Sequence, residues 1–169
     1  ADALSAEIAR AGADTAIHAI VLSGAPPAFC AGHDLREMTA ARAGADRGRA
    51  WFEDTFERCA AMMQAIVACP KPVIAAVEGI ASAAGCQLVA SCDLAVAGEA
   101  ARFCTPGVHI GLFCSTPSVA LSRNLSAKHA LEMLLLGEMV PADEAARLGL
   151  VHRVVPAGGA PAEAQKNGR

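Results

Sequence analysis

Two short turns carry the residue types best suited to chemistry in this chain of 169 residues. The first spans residues 29–35 (FCAGHDL), and the second spans residues 78–87 (EGIASAAGCQ). Each turn places small residues after an apolar, β-branched run, where a strand gives way to a helix. Amides at the start of a helix have no partner within it and carry partial positive charge. Two such amides side by side would form an oxyanion hole, which stabilises negative charge on a carbonyl oxygen.

Taken singly, each turn is also an ordinary connection between a strand and a helix. Neither contains the glycine spacing of a dinucleotide fingerprint or of a phosphate-binding P-loop. The chemical interpretation therefore depends on whether both turns meet at one site.

Composition narrows the class of protein. Apolar residues make up 54% of the chain, which is enough for the core of one domain. The net charge of −3 is small, and no run of Lys or Arg indicates a nucleic-acid or membrane-surface partner. No apolar run reaches membrane-spanning length. The seven cysteines lack metal-ligand spacing, so we expect reduced thiols, a cytoplasmic protein and no metal site.

Hydrophobic spacing predicts an α/β domain in which strands alternate with helices around a mostly parallel sheet. A first helix ends near Gly12, and a long helical segment over residues 36–68 is broken near Gly44 and Gly48. The other predicted helices cover residues 84–91, 117–124, 128–136 and 142–148, and the predicted strands cover residues 17–22, 73–77, 93–97 and 151–155. Residues 157–169 lack periodicity and are predicted to be a loop or a disordered tail.

Four segments in this order resemble the crotonase, or enoyl-CoA hydratase/isomerase, superfamily: AFCAGHDL, KPVIAAVEGIASAAGCQLVASCDLAVA, ARFCTPGVHIGL and GEMVPADEAARLGLVHRVVP. The resemblance covers residues 2–156. It implies the crotonase fold of repeated ββα units, shared with Clp-type proteases, with residues 1–156 as its core. The N-terminal strands and C-terminal helices of the family are not recognisable.

The same resemblance implies an enzyme that acts on acyl-CoA thioesters. Coenzyme A enters as part of the substrate, so no separate cofactor is expected. Family members assemble as trimers or dimers of trimers, which predicts a homotrimer or hexamer here. Organellar import stays open beside the cytoplasmic expectation, because the chain begins at Ala1 without a methionine.

Position by position, the resemblance assigns the two oxyanion donors to the amides of His33 and Ala84. The family usually has glycine at the position of Ala84. It assigns substrate-binding roles to Ala31, Gly32, Asp34, Leu35 and Gly85.

The resemblance also identifies three positions where family members carry catalytic acids, and here they hold Gln87, Gly107 and Ser115. None of these side chains can exchange a proton as a carboxylate does, although Gln87 can orient a water molecule. A placed acid or base contributes roughly a hundredfold to ten-thousandfold in rate. Hydratase activity is therefore expected to be slight, and glutamates at positions 87 and 107 together are expected to raise it.

Several alternatives stay open. The imidazole of His33 either borders the site or takes part in catalysis, and Cys114 and Ser115 are either packing residues or nucleophiles. The protein is an acyl-CoA enzyme whose reaction needs no strong base, such as a decarboxylase or a hydrolase, or a weakly active acyl-CoA-binding relative. A peptidase is disfavoured, because no ordered catalytic triad follows Ser82.

Overall fold

Two β-sheets form the framework of the protein, and the computed structural model describes residues 1–168. The strands are β1 (Ile20–Ser23), β2 (Val73–Val77), β3 (Ile80–Ser82), β4 (Leu94–Gly98), β5 (Arg102–Cys104), β6 (Val140–Pro141) and β7 (Arg153–Val155). A parallel four-stranded sheet has the order β1-β2-β4-β7. In the smaller sheet, β5 pairs in parallel with β3 and antiparallel with β6. The predicted α/β class with a mostly parallel sheet is confirmed.

Helices connect the strands and cover both faces of the larger sheet. They are α1 (Asp2–Ala13), α2 (Leu35–Ala41), α3 (Arg49–Val67), α4 (Ala84–Ser91), α5 (Ser115–Asn124), α6 (Ala127–Leu136), α7 (Ala142–Leu148) and α8 (Ala160–Asn167), with a 3-10 helix at Pro106–Ile110. The predicted break before α3 is confirmed, because Gly48 adopts a φ of +81° there. The smaller sheet escaped prediction because its strands of two or three residues are too short to show alternation.

The central strand β2 shows why the larger sheet needs cover on both faces. All its residues are buried, and alternate side chains point to opposite faces. Val73 and Val77 join the main core, whereas Ile74 and Ala76 join a second cluster on the other face.

Helix α8 covers that second cluster, so the predicted loop or disordered tail over residues 157–169 is wrong for residues 160–167. Ala160 and Ala164 are fully buried against the cluster. The Ala160 amide donates to the Glu78 carboxylate at 3.0 Å and secures the start of the helix. A short helix whose buried residues are two alanines has a weak apolar period, which explains the error. The prediction for Arg169 lies outside the described residues.

The predicted ββα repeat is visible in the connections. β2 in the larger sheet is followed by β3 in the smaller sheet and then by α4; β4, β5 and the 3-10 helix repeat the same course. An isolated parallel bridge joins Cys30 to Ala81 in β3. This bridge sets the first chemically suggestive turn beside the second.

Candidate active site

The two turns meet where the chain before His33 passes the first residue of α4. Gly32 has a φ of +93°, and a methyl group built on it would lie 3.2 Å from Ala83 Cβ and 3.5 Å from Ala84 N. Only glycine adopts this conformation readily and permits so close an approach. The amides of His33 and Ala84 therefore belong to one small region.

Backbone hydrogen bonds and close packing fix the contact between the turns. The Ser82 amide donates to Cys30 O at 2.9 Å, and the Cys30 amide donates to Ile80 O at 3.1 Å. A Cβ atom on Gly85 would lie 2.0 Å from Cys30 O, which is far inside van der Waals contact. The absence of a side chain at Gly85 thus lets the first turn of α4 rest directly on Cys30.

Both candidate donors are available to a ligand. Within residues 1–168, neither the His33 amide nor the Ala84 amide donates a hydrogen bond to a protein acceptor. Ala84 is the first residue of α4, where a helix leaves its amides unpaired. The preceding Ala83 has a φ of +52° and a ψ of −115°, so the positive φ falls on Ala83 and not on Ala84. Such strain costs on the order of 1–3 kcal/mol and is typical of functional sites.

A cavity of about 480 Å³ opens beside these amides. It is lined by His33 and Ala84, together with Gly32 and Asp34 from the predicted substrate-binding set. Its volume lies within the range of small-molecule sites, about 300–1,000 Å³. The cavity thus brings together four of the residues that the sequence singled out.

One face of α3 forms the opposite wall, and sequence reasoning missed it. Its residues recur at spacings of one, three and four positions along the helix: Trp51, Asp54, Thr55, Arg58, Cys59 and Met62. That spacing places them on one helical face. A polar and aromatic stripe at helical spacing was the signal in the sequence, but it overlaps the apolar period of α3, because Cys59 and Met62 belong to both.

The charged groups of the cavity are partly engaged with one another. Asp34 caps α2 by accepting the Arg36 amide at 2.7 Å. Arg58 pairs with Asp54 at 3.2 Å and also with Asp2. These side chains are at least half exposed, so the ion pairs contribute little stability. The helix cap positions the Asp34 carboxylate, and the ion pair with Arg58 positions the Asp54 carboxylate.

The His33 side chain lies between the amides and α3. Its ring meets Phe56 edge to face, with centroids 5.3 Å apart and an interplanar angle of 89°. Partial burial lowers the pKa of the His33 imidazole below its usual value. Burial likewise raises the pKa of the neighbouring Cys59 thiol. Near neutral pH, His33 is therefore an uncharged base and Cys59 is a protonated thiol.

Gln87 does not line the cavity of His33 and Ala84. Ala84 and Leu88 present one face of α4 to that cavity, whereas Gln87 borders a separate cavity of about 150 Å³ between α3, α4 and α5. Gln87 is 8% exposed, and its Oε1 is buried without a hydrogen-bond partner in residues 1–168. Its predicted catalytic role stays a prediction.

Gly107 has no room for a side chain. A Cβ atom there would lie 2.4 Å from Leu112 O and 2.8 Å from Cys114 Sγ. The structure thus opposes the expectation that a glutamate at position 107 restores a catalytic acid.

We expect Gly107→Glu to lower the free energy of unfolding by about 1–3 kcal/mol, since overpacking forces the 3-10 turn away from its neighbours. Urea denaturation followed by circular dichroism measures the change. Ile110→Glu is the matched control: Ile110 lies in the same turn and is 64% exposed, so the same new side chain points to solvent. That control is expected to change stability by less than about 0.5 kcal/mol. Equal stability of both variants would show that position 107 is open.

The remaining predicted residues lie outside the cavity lining. Ser115 is an exposed first residue of α5, and Ala31 and Leu35 are exposed. Gly85 is buried against Cys30. Their catalytic and substrate-binding roles stay predictions.

Within residues 1–168, no group of three or more His, Cys, Asp or Glu side chains is arranged to hold a metal ion. Over the same residues, no helix combines the length and apolar character needed to cross a membrane. The seven cysteines are free thiols.

Comparison with known proteins decides the family. The model for the family described as enoyl-CoA hydratase/isomerase matches residues 2–166. The chain belongs to the enoyl-CoA hydratase/isomerase family. Rat enoyl-CoA hydratase domain-containing protein 3, mitochondrial, is 51% identical over 137 residues, covering 81% of this chain and 44% of the relative. The chain thus spans about half the length of the curated relatives it matches.

Solved structures of the same family confirm the predicted crotonase fold. An enoyl-CoA hydratase from Mycobacterium smegmatis is 50% identical with a TM-score of 0.89, and the match covers 99% of this chain and 63% of that one. Human enoyl Coenzyme A hydratase domain-containing protein 3 is 43% identical, also with a TM-score of 0.89, covering 98% of this chain and 64% of that one.

Proposed function

We propose that this member of the enoyl-CoA hydratase/isomerase family acts on acyl-CoA thioesters, holding the thioester oxygen between the amides of His33 and Ala84. The proposal is carried by the close approach of the two turns: Ala84 N lies 3.5 Å from the position that a Cβ atom on Gly32 would occupy. Within residues 1–168, the amides of His33 and Ala84 have no protein acceptor, and both residues line the cavity of about 480 Å³. Coenzyme A would enter as part of the substrate, and no separate cofactor is needed.

The chemistry follows from where the charge develops. When a thioester loses an α-proton or is attacked at its carbonyl carbon, negative charge accumulates on the carbonyl oxygen. Two preorganised amides stabilise that charge more than they stabilise the uncharged substrate, so they accelerate the reaction. Family membership supports this assignment, since the family is described as enoyl-CoA hydratase/isomerase and a protein of matching structure is named an enoyl-CoA hydratase.

The replaced acid positions bear on which reaction the protein catalyses. Gln87, Gly107 and Ser115 replace the acids expected from the resemblance, and none of them lines the cavity of about 480 Å³. This observation favours a reaction that needs no strong base, such as decarboxylation or thioester hydrolysis, over efficient hydration. It also supports the alternative of a weakly active acyl-CoA-binding protein.

A substrate panel tests the proposal and separates it from this alternative. The full chain is incubated with crotonyl-CoA, a β,γ-unsaturated acyl-CoA, malonyl-CoA, methylmalonyl-CoA and a saturated acyl-CoA. Binding is measured by calorimetry and turnover by mass spectrometry, with free coenzyme A as the control ligand. We expect acyl-CoA to bind more tightly than free coenzyme A and at least one thioester to turn over. Binding without turnover would favour the binding protein, and no binding of any thioester would refute both.

The proposed function also includes an oligomeric state and a cellular location. A homotrimer or hexamer is proposed from the resemblance, and native mass spectrometry measures it. The expected cytoplasmic location gains no support from the vertebrate relatives, whose names describe them as mitochondrial. We therefore propose that the protein is imported into an organelle.

A further inference from the structure

We propose that the imidazole of His33 is the catalytic base that removes and returns protons at the α-carbon of the bound acyl-CoA. This inference rests on the proposed function, because the thioester must first sit with its oxygen at the His33 and Ala84 amides. It adds a proton-transfer group to a site whose three expected acid positions hold none. It also identifies the substrates as acyl-CoA thioesters with a removable α-hydrogen.

Location is the first support. His33 and Ala84 line the same cavity, so one ligand can contact both residues. Phe56 holds the imidazole edge to face at 5.3 Å, and Phe52 stacks on Phe56 at 6.0 Å. The imidazole thus packs on Phe56, and Phe52 supports Phe56 from the adjacent turn of α3, which restricts the orientation of the imidazole.

Availability is the second support. Within residues 1–168, neither ring nitrogen of His33 takes part in a protein hydrogen bond, in contrast to two other histidines. His109 Nε2 lies 2.9 Å from Leu136 O, and His152 Nδ1 accepts the Ala95 amide at 3.2 Å. Those two rings have structural partners, whereas the nitrogens of His33 can accept a proton from a ligand.

The protonation state is the third support. Partial burial keeps the imidazole neutral near pH 7, which is the form that accepts a proton. The titratable side chains that share the cavity are Cys30, Asp34, Glu37, Asp54, Arg58 and Cys59. Asp34 is occupied as a helix cap, and Asp54 is paired with Arg58. Glu37 and Asp54 are the competing bases that an experiment must separate from His33.

The step balances without any co-reactant. An imidazole nitrogen takes the α-proton, and the electron pair of the C–H bond forms the enolate whose oxygen the two amides hold. The imidazolium then returns the proton to the α-carbon, which gives exchange. With a β,γ-unsaturated substrate it returns the proton to the γ-carbon, which moves the double bond into conjugation.

Deuterium exchange measures this step directly. A saturated acyl-CoA is incubated with the full chain in D₂O, and deuterium at the α-carbon is followed by NMR. His33→Gln and His33→Phe keep the backbone amide, and phenylalanine also keeps the packing on Phe56. We expect both variants to lower the exchange rate by about a hundredfold or more. His18→Gln is the matched control, since His18 is exposed and lies outside the cavity lining, and its rate should equal that of the unmodified protein.

The pH profile provides a second readout. The neutral imidazole prevails above its pKa, so the rate should rise with pH and level off, with the inflection below about 6.5. Both His33 variants should lose this inflection.

Other outcomes overturn the inference in distinguishable ways. Loss of exchange in Glu37→Gln or Asp54→Asn, with normal exchange in the His33 variants, would assign the base to α2 or α3. Acyl-CoA binding without exchange by the unmodified protein would refute proton transfer but leave the thioester site standing. Failure to bind any acyl-CoA would refute the proposed function itself. Circular dichroism establishes that each variant is folded.

Discussion

Replacing Ala84 by proline lowers turnover of any thioester that the protein uses by about a hundredfold to a thousandfold, because one oxyanion donor is lost. The substitution removes the Ala84 amide hydrogen, which donates to no protein acceptor in residues 1–168. Proline is well tolerated as the first residue of a helix, so α4 should still form. Steady-state kinetics measures the effect: kcat should fall much more than KM rises, since the lost contact strengthens in the transition state.

Two features of the chain sharpen this experiment. Ala83 has a φ of +52°, which is an unsuitable conformation before proline. Ala83→Gly relieves that strain, so the comparison is made between Ala83→Gly alone and Ala83→Gly with Ala84→Pro. The matched control is Ala127→Pro at the first position of α6, where Ser126 has a φ of −59° and a ψ of 152°. The control should leave both turnover and stability unchanged.

A rate that survives loss of the Ala84 amide, in a protein that still melts normally, would contradict the oxyanion assignment. A rate lost together with the folded structure would be recognised from the circular dichroism spectrum. In that case, the double variant and Ala83→Gly alone are compared in single-turnover measurements at a lower temperature, where both are folded. The difference between their rates then reports the chemical step.

Replacing Gly85 by alanine is expected to lower the free energy of unfolding by about 1–3 kcal/mol. The new methyl group would lie 2.0 Å from Cys30 O and 2.7 Å from Cys30 C, so backbone must move. That movement separates α4 from the turn before His33, and misplacement by about 1 Å costs on the order of a hundredfold in rate. Urea denaturation and kinetics on the same preparation measure the two effects.

Gly12→Ala is the control for Gly85→Ala, because it makes the same change in another helix. A methyl group on Gly12 would lie 3.4 Å from Pro70 Cδ, which is ordinary contact. Alanine should stabilise α1 by about 0.5–1 kcal/mol. If the alanine variants at both positions were stabilised alike, the close approach of α4 to Cys30 would be refuted.

Local patterns in the sequence were sufficient for most elements that build the site. The β-branched run before residue 78 and the small residues after it predicted β2 and α4, and the break near Gly48 was placed correctly. Local patterns also pointed to the two turns, whereas the family resemblance assigned the donors to His33 and Ala84, which line one cavity. These features are encoded locally, because strand propensity, turn residues and helix starts depend on neighbouring residues.

The tertiary structure decided the features that depend on distant residues. Which face of α4 meets the cavity is set by α3 and α5, and this placed Gln87 in a different cavity from Ala84. The space at Gly107 is set by Leu112 and Cys114, and its closure is invisible in the sequence.

The sequence by itself thus determined the family, the strands of the larger sheet and most of the helices, and it led to the prediction of a pair of amides at the two turns. Only the tertiary structure revealed the α3 wall, the unpaired imidazole of His33 and the cover that α8 provides for the sheet. The physical reason is the range of the interactions. Backbone conformation follows local sterics and hydrogen bonding, whereas burial, cavity lining and side-chain availability depend on segments that are far apart in the chain.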